Sequence, residues 1–309
     1  MTISRMSSDN APAIRQYATG MTWGEGPRWH NGALWLSDTQ GSCLWTDASG
    51  SWRSIQLDSP SNGLWFLPDG RLVGAMMRER RIGEWNGRTW QTYADLKALG
   101  VGPLGDVTGD ANGNLYVDDV AFNAAGGETP VPGRIILIRS DGSATVAAED
   151  VEFPNGLALI DGGRTLVVAQ TAARRLTAFE VLPDGNLGAR RLYADLDTLI
   201  GPDARPDGIW PAQQGVWVAT TSAQTLARVG ENEIYETVST APLLPIACCL
   251  DDTGTLIVTV ADTRGRTLID AVKSRAVTTS VVLVDLVDSQ PPEVTNNYEQ
   301  EVKDDEQHH

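Results

Sequence analysis

The stretch Asn155-Gly156-Leu157-Ala158-Leu159-Ile160-Asp161-Gly162-Gly163-Arg164-Thr165-Leu166-Val167-Val168 holds two short apolar runs joined by an aspartate-glycine turn. Asp-Gly-Gly supplies the backbone freedom that a tight antiparallel hairpin needs, so the runs read as paired strands. The arrangement recurs along the chain. A turn glycine followed by a β-prone run stands at Gly32-Ala33-Leu34-Trp35-Leu36, Gly70-Arg71-Leu72-Val73, Gly113-Asn114-Leu115-Tyr116-Val117, Gly163, Gly215-Val216-Trp217-Val218 and Gly254-Thr255-Leu256-Ile257-Val258. Successive glycines are 38, 43, 50, 52 and 39 residues apart. Self-similarity at such a period marks a repeat architecture, and each unit has room for a four-stranded sheet.

Further strand-like runs fill each unit, as in Arg175–Val181 followed by the turn Pro183-Asp184-Gly185, and no segment carries a long helical period. Six such sheets protect their edges best by radial stacking. The fold class expected is all-β, a six-bladed β-propeller formed by residues 1–288, with 289–309 an acidic, disordered tail. The rival, a pair of β-sandwiches, lacks a linker in the middle of the chain. Thr278–Val287 reads as a strand of the last blade, and Ala13–Thr19 is available as its outermost strand.

Composition excludes several classes of function. The formal net charge is −16, which argues against a nucleic-acid partner because a phosphate backbone requires a basic face. No apolar run is long enough to span a membrane, and Met1–Ala13 lacks the layout of an export signal, so a cytoplasmic protein without a membrane partner is expected. The three cysteines, Cys43 and the apolar-flanked pair Cys248–Cys249, read as buried small hydrophobes. His30 is the only histidine before the C-terminal pair, which rules out a three-histidine zinc site. No Gly-x-Ser-x-Gly elbow occurs, and a serine triad would depend on His30 alone.

Counting back eight residues from the later five turn glycines reaches Asn62, Gly105, Asn155, Asp207 and Ile246, and in the first unit Glu25 lies seven back. The next residues are Gly26, Gly63, Asp106, Gly156, Gly208 and Ala247. Equivalent positions of a propeller share radius and height, so side chains that begin the innermost strands converge on the axis. Glu25, Asn62, Asn155 and Asp207 then form a ring of oxygen donors. Carboxylate and amide oxygens suit a hard divalent cation, Ca2+ first, with Mg2+ and Mn2+ compatible and Zn2+ held without sulfur or nitrogen. Taken singly, each Asn-Gly or Asp-Gly merely starts a turn; the shared register across units is what favours a site.

Gly24-Glu25-Gly26-Pro27-Arg28-Trp29, Phe153-Pro154-Asn155-Gly156-Leu157 and Arg205-Pro206-Asp207-Gly208-Ile209 resemble the senescence-marker-protein-30/gluconolactonase/luciferin-regenerating-enzyme family. The likeness runs from about Trp23 to Val260, roughly three quarters of the chain. It implies a six-bladed propeller whose divalent metal is held by Glu25, Asn155 and Asp207, and a lactone hydrolase activity. Asp207 would also help deprotonate the attacking water, with Asp106 the candidate base outside the metal's ligands. The chain departs from the family at blade 3, where Pro103-Leu104-Gly105-Asp106 has glycine in place of asparagine and no preceding arginine. Asp118-Asp119, just after the next strand, is either a replacement for that lost group or an ordinary strand end. Gln170 stands where an acidic residue is common.

Sugar recognition needs polar side chains around the substrate, and the loss at Gly105 removes one. Trp23 beside Glu25, Trp65 after Asn62, Trp210 after Asp207 and Phe122 after the aspartate pair are candidates for the mouth, whereas Trp29, Trp35 and Trp217 read as packing between blades. The partner expected is therefore a small apolar or aromatic lactone or ester, bound by Asn62, Trp23, Asp119, Phe122, Gln170 and Trp210. Two other readings stay open: a non-hydrolytic propeller enzyme of isomerase or condensing type, and a catalytically silent, metal-stabilised ligand-binding propeller.

Overall fold

In the computed structural model, which describes residues 12–286 apart from 124 and 125, six four-stranded antiparallel sheets stand in a ring. The first five follow chain order. Their innermost strands are Gly24–His30 in blade 1, Leu64–Phe66 in blade 2, Leu104–Gly109 in blade 3, Pro154–Ile160 in blade 4 and Pro206–Pro211 in blade 5. The expected six-bladed propeller is the observed fold.

Blade 6 closes the ring. Its inner three strands are Leu244–Leu250, Leu256–Asp262 and Thr278–Asp285, and its outermost strand is Ala13–Met21 from the start of the described chain. Ala13 pairs with Asp285 and Met21 with Thr279, so the two ends of the ring are joined by a strand ladder. Met21 is also 2% exposed and packs with Leu34 and Leu36 of blade 1, tying the closing strand to the next sheet. The strand expected to reach Val287 ends at Asp285; Val287 and the acidic tail 289–309 lie outside the described residues.

Alternating strand residues face neighbouring blades, which is why the core is a series of interblade layers. Leu115 and Val117 pack toward blade 2, with Val73, Ala75 and Ile82, whereas Tyr116 packs toward blade 4, with Leu157, Leu166 and Val168. Trp217 is buried between blades 5 and 6, and all three cysteines are free and buried. His30 stacks on Phe66 at 3.8 Å. Among the described residues no helix is long and apolar enough to cross a membrane.

The glycines of the inner strands set how tightly the ring closes. A Cβ on Gly26 would stand 3.0 Å from the Cα of Gly63, one on Gly63 would stand 2.6 Å from the Cα of Asp106, and one on Gly208 would stand 2.7 Å from the Cα of Ala247. At each of the three the nearest atom would lie under 3.0 Å, closer than real Cβ atoms approach. Glycine after the ring residue is therefore required by close backbone approach between adjacent blades. Gly26 also has φ +53, at the bulge between Glu25 and Arg28.

Candidate axial metal site

Glu25, Asn155 and Asp207 each enter the axis just past the start of an innermost strand, on blades 1, 4 and 5. The ladder irregularities at Glu25/Arg28, Pro154/Leu157 and Pro206/Ile209 show the same bulge in all three blades. A bulge re-aims the side chains around it; blade 3 carries the same irregularity between Leu104 and Val107.

Each of the three side chains is anchored at one end. Trp23 Nε1 donates to Glu25 Oε1 at 2.7 Å. Asn155 Nδ2 donates to Thr171 Oγ1 at 3.2 Å, and Thr171 in turn donates to the Pro206 carbonyl at 2.7 Å. Thr221 Oγ1 donates to Asp207 Oδ2 at 3.1 Å. Outer partners of this kind fix the orientation of metal-binding groups. With its nitrogen engaged, Asn155 presents its carbonyl oxygen.

The electrostatics of the trio are unbalanced. Burial, then the neighbouring Asp207 and Asp106 charges, push the Glu25 carboxyl well above its usual range, against the opposing hydrogen bond from Trp23. Burial likewise raises Asp207 to about 7, although Thr221 and Asn155 donate to it. These carboxyls lack a compensating cation, and the all-oxygen donor set fits a hard divalent ion. The third donor is an amide, and among the described residues no group of three His, Cys, Asp or Glu side chains forms a metal cluster by itself.

Asp106 is different. Its Oδ1 receives Arg28 Nη2 at 3.0 Å and its own neighbour's amide, Val107 N, at 2.8 Å. Arg28 is buried, also bonds the Val107 and Pro27 carbonyls, and lies over the rings of Trp65 and Trp210 at 5.5 and 5.1 Å. This cluster stands three residues along the inner strands from the ring, with the Trp65 and Trp210 rings 6.1 Å apart. Trp210 and Trp65, both expected at the mouth, belong to it.

The remaining expected contacts divide. Asn62 joins the inner-strand ladder through its amide to the Ala75 carbonyl, at the ring register. Trp23 acts on Glu25. Asp119 is wholly buried and structural: it accepts from Arg134 Nε at 2.9 Å, Gly102 N at 2.8 Å and Ala121 N at 3.0 Å. Gln170 turns away from the axis, bonded to Glu152 N and Thr177. Phe122 is buried and meets Phe153, two residues before Asn155, edge-on at 5.3 Å.

Arg28, Thr171 and Thr221 were not singled out from the sequence. The threonines carried a signal, because Ala169-Gln170-Thr171 and Ala219-Thr220-Thr221 hold the same register, with Gln170 paired to Pro154 and Thr220 to Pro206.

Residues 23–262 match the family model described as the SMP-30/Gluconolactonase/LRE-like region. Among solved structures, the chain is similar to a luciferin-regenerating enzyme (TM-score 0.76, 19% identity, 90% of this chain and 96% of that one). It is similar to a gluconolactonase from Xanthomonas campestris (TM-score 0.68, 21% identity, 88% and 90%). It is also similar to regucalcin, a calcium-binding protein from Agrobacterium tumefaciens (TM-score 0.68, 18% identity, 87% and 95%). A curated relative, the adipocyte plasma membrane-associated protein Hemomucin of Drosophila melanogaster, is 30% identical over 110 residues; that match covers 35% of this chain and 17% of the relative.

Proposed function

The chain belongs to the SMP-30/Gluconolactonase/LRE-like family, and from that premise we propose that it is a divalent-metal-dependent lactone hydrolase acting on a small apolar or aromatic lactone. The observation that carries this reading is the convergence of Glu25, Asn155 and Asp207 on the axis, each anchored at one end, with two of the three being carboxyls that burial makes costly to ionise.

Glu25, Asn155 and Asp207 would hold the cation, Ca2+ in the first instance, and when bound it supplies Lewis-acid polarisation of a carbonyl oxygen. The protein's own part is positioning and proton handling. Thr221 holds Asp207 by Oδ2, which keeps its other oxygen toward the axis. Asp106 sits beside the ring with Oδ1 committed to Arg28 and Val107, which leaves Oδ2 to act on the attacking water in this reading. In ring opening the water oxygen bonds to the lactone carbonyl carbon and the ring C–O bond breaks. The proton taken by the aspartate passes to the departing alkoxide. Arg28, lying over the adjoining rings of Trp65 and Trp210, holds Asp106 in place.

The apolar substrate class is supported by Gly105, which leaves blade 3 without a ring side chain, and by the Phe122–Phe153 pair beside Asn155. A lactone panel spanning gluconolactone and aryl-fused lactones tests it, run after chelation and again with Ca2+, Mg2+, Mn2+ or Zn2+ restored. Metal-dependent ring opening of the apolar members is expected. Turnover of gluconolactone alone overturns the substrate class. Binding of metal with no turnover of any lactone replaces the hydrolase with a metal-stabilised binding propeller.

A further inference from the structure

Asp38 is 2% exposed and ends the second strand of blade 1, Ala33–Asp38. Its carboxyl is engaged with backbone. Oδ1 accepts from Trp23 N at 2.9 Å and Gly41 N at 2.8 Å, and Oδ2 accepts from Thr22 N at 2.8 Å. Three amide bonds satisfy a buried carboxyl and make it a firm anchor for the backbone that donates them.

The same clasp recurs around the ring. The ladders pair Gly24 with Asp38, Leu104 with Asp119 and Pro154 with Gln170. In each case the side chain on the second strand accepts from the amide two residues before its partner. Those amides belong to Thr22, Gly102 and Glu152, all at 2.8 Å. The clasp thus fixes the loop through which the chain enters an innermost strand. Blade 1 differs in the residue that follows the clasped amide, which is Trp23 where blades 3 and 4 have Pro103 and Phe153. Proline lacks an amide hydrogen and phenylalanine lacks a side-chain donor; tryptophan has both.

Every part of Trp23 is held. Its amide donates to Asp38, its carbonyl accepts from Thr39 N at 3.0 Å, and its ring packs on the blade 6 side against Ile246, Ala247, Ala271 and Val277. Nε1 donates to Glu25 Oε1 at 2.7 Å. With backbone and ring fixed, the direction of the indole N–H is fixed, and with it one oxygen of Glu25.

We propose that Asp38 is a positioning residue for the axial site, setting the orientation of Glu25 through Trp23 while its own oxygens stay on backbone amides. The inference rests on the reading of the axis as a cation site. On this account the relay from carboxyl to amide to indole orders Glu25 during folding, so that a cation meets a ligand already in place.

The test is calorimetric titration of CaCl2 into metal-stripped full-length protein, arranged as a double-mutant cycle. Trp23→Phe removes the indole N–H, and Asp38→Asn weakens the anchor. Gly41→Ala reaches the anchor by a second route, because a Cβ there would lie 2.6 Å from Asp38 Cγ and push the carboxyl aside. Trp23→Phe is expected to weaken Ca2+ about tenfold, and Asp38→Asn and Gly41→Ala at least about fivefold. In the Trp23→Phe background neither second substitution is expected to weaken Ca2+ more than about twofold further, because the relay is already cut. Two results overturn the inference. One is a full effect of Asp38→Asn or Gly41→Ala in the Trp23→Phe background, the mark of a general loosening of the fold. The other is Ca2+ affinity within about twofold of wild type in the anchor variants. The two routes to the anchor keep the test decisive if one variant fails to fold. A wild type that binds no Ca2+ overturns the cation reading itself, which separates the two failures.

Discussion

Two levels of the same central channel, three residues apart on the inner strands, are built in opposite ways. At the lower level Arg28 lies over the adjoining rings of Trp65 and Trp210 and is paired with Asp106, so its charge, hydrogen bonds and apolar surface are matched within the chain. At the upper level burial pushes up the Glu25 and Asp207 carboxyls, Glu25 further by the Asp207 charge and both by the Asp106 charge. The lower level is matched within the chain; on the proposed reading the upper level is completed by a cation. Perturbed carboxylates held in a fixed geometry are the reason the proposed function is placed there.

The contrast can be broken first at the top. Asp207→Ala removes a ligand and a proton acceptor, and it should reduce metal-dependent turnover by at least about 100-fold while the metal-free protein keeps its fold. Steady-state kinetics and far-UV circular dichroism check both halves. The bottom should respond in the opposite sense. Arg28→Met strands Asp106 without its partner in a buried setting, a change worth roughly 3–5 kcal/mol of stability, visible as a lower denaturation midpoint in urea.

A smaller change separates the anchor from the ligand. Thr221→Val keeps the shape of the side chain and deletes the hydrogen bond to Asp207 Oδ2. Cation affinity should fall by about 10–100-fold, measured by calorimetry, with little change in the melting temperature of the metal-free protein. A fall in stability of the metal-free protein without a change in affinity would assign Thr221 to the fold and erase the distinction between the levels at that residue.

The smallest expected effect is on pH. Glu25 and Asp207 bind protons more tightly folded than unfolded, so between the unfolded carboxylate range and the folded value near 7 the native state holds more protons. Stability of metal-stripped protein must then fall as pH rises through that window. The melting temperature without metal should be lower at pH 8 than at pH 5, and added Ca2+ should remove most of the difference. Asp207→Asn should flatten the profile.

The upper level was legible in the sequence and the lower one was not, for a physical reason. Counting from turn glycines gives the register of each inner strand, and register alone places Glu25, Asn155 and Asp207 at one height. The glycines that follow were readable as turn formers, but their actual cause, close approach between blades, needed coordinates. Closure by Ala13–Met21 was foreseen because a β-prone segment was left over at the start. The Arg28 cluster joins blades 1, 2, 3 and 5, and no local spacing encodes such a contact. The Asp118-Asp119 pair shows the limit most sharply. Adjacent strand residues face opposite sides, and sequence could not say which one served the fold; Arg134 takes Asp119 and leaves Asp118. Gln170 lies one strand out with its side chain bonded to Glu152 and Thr177, and Trp210 lies three residues below the ring against Arg28; neither partner is encoded in local spacing.

The most direct test is a crystal structure of the protein grown with Mn2+, with an anomalous difference map collected near the manganese edge. One strong peak enclosed by Glu25, Asn155 and Asp207, absent in crystals of Asp207→Ala, is the predicted result. No peak on the axis, or a peak held by other residues while these three side chains keep only their protein partners, would contradict the account.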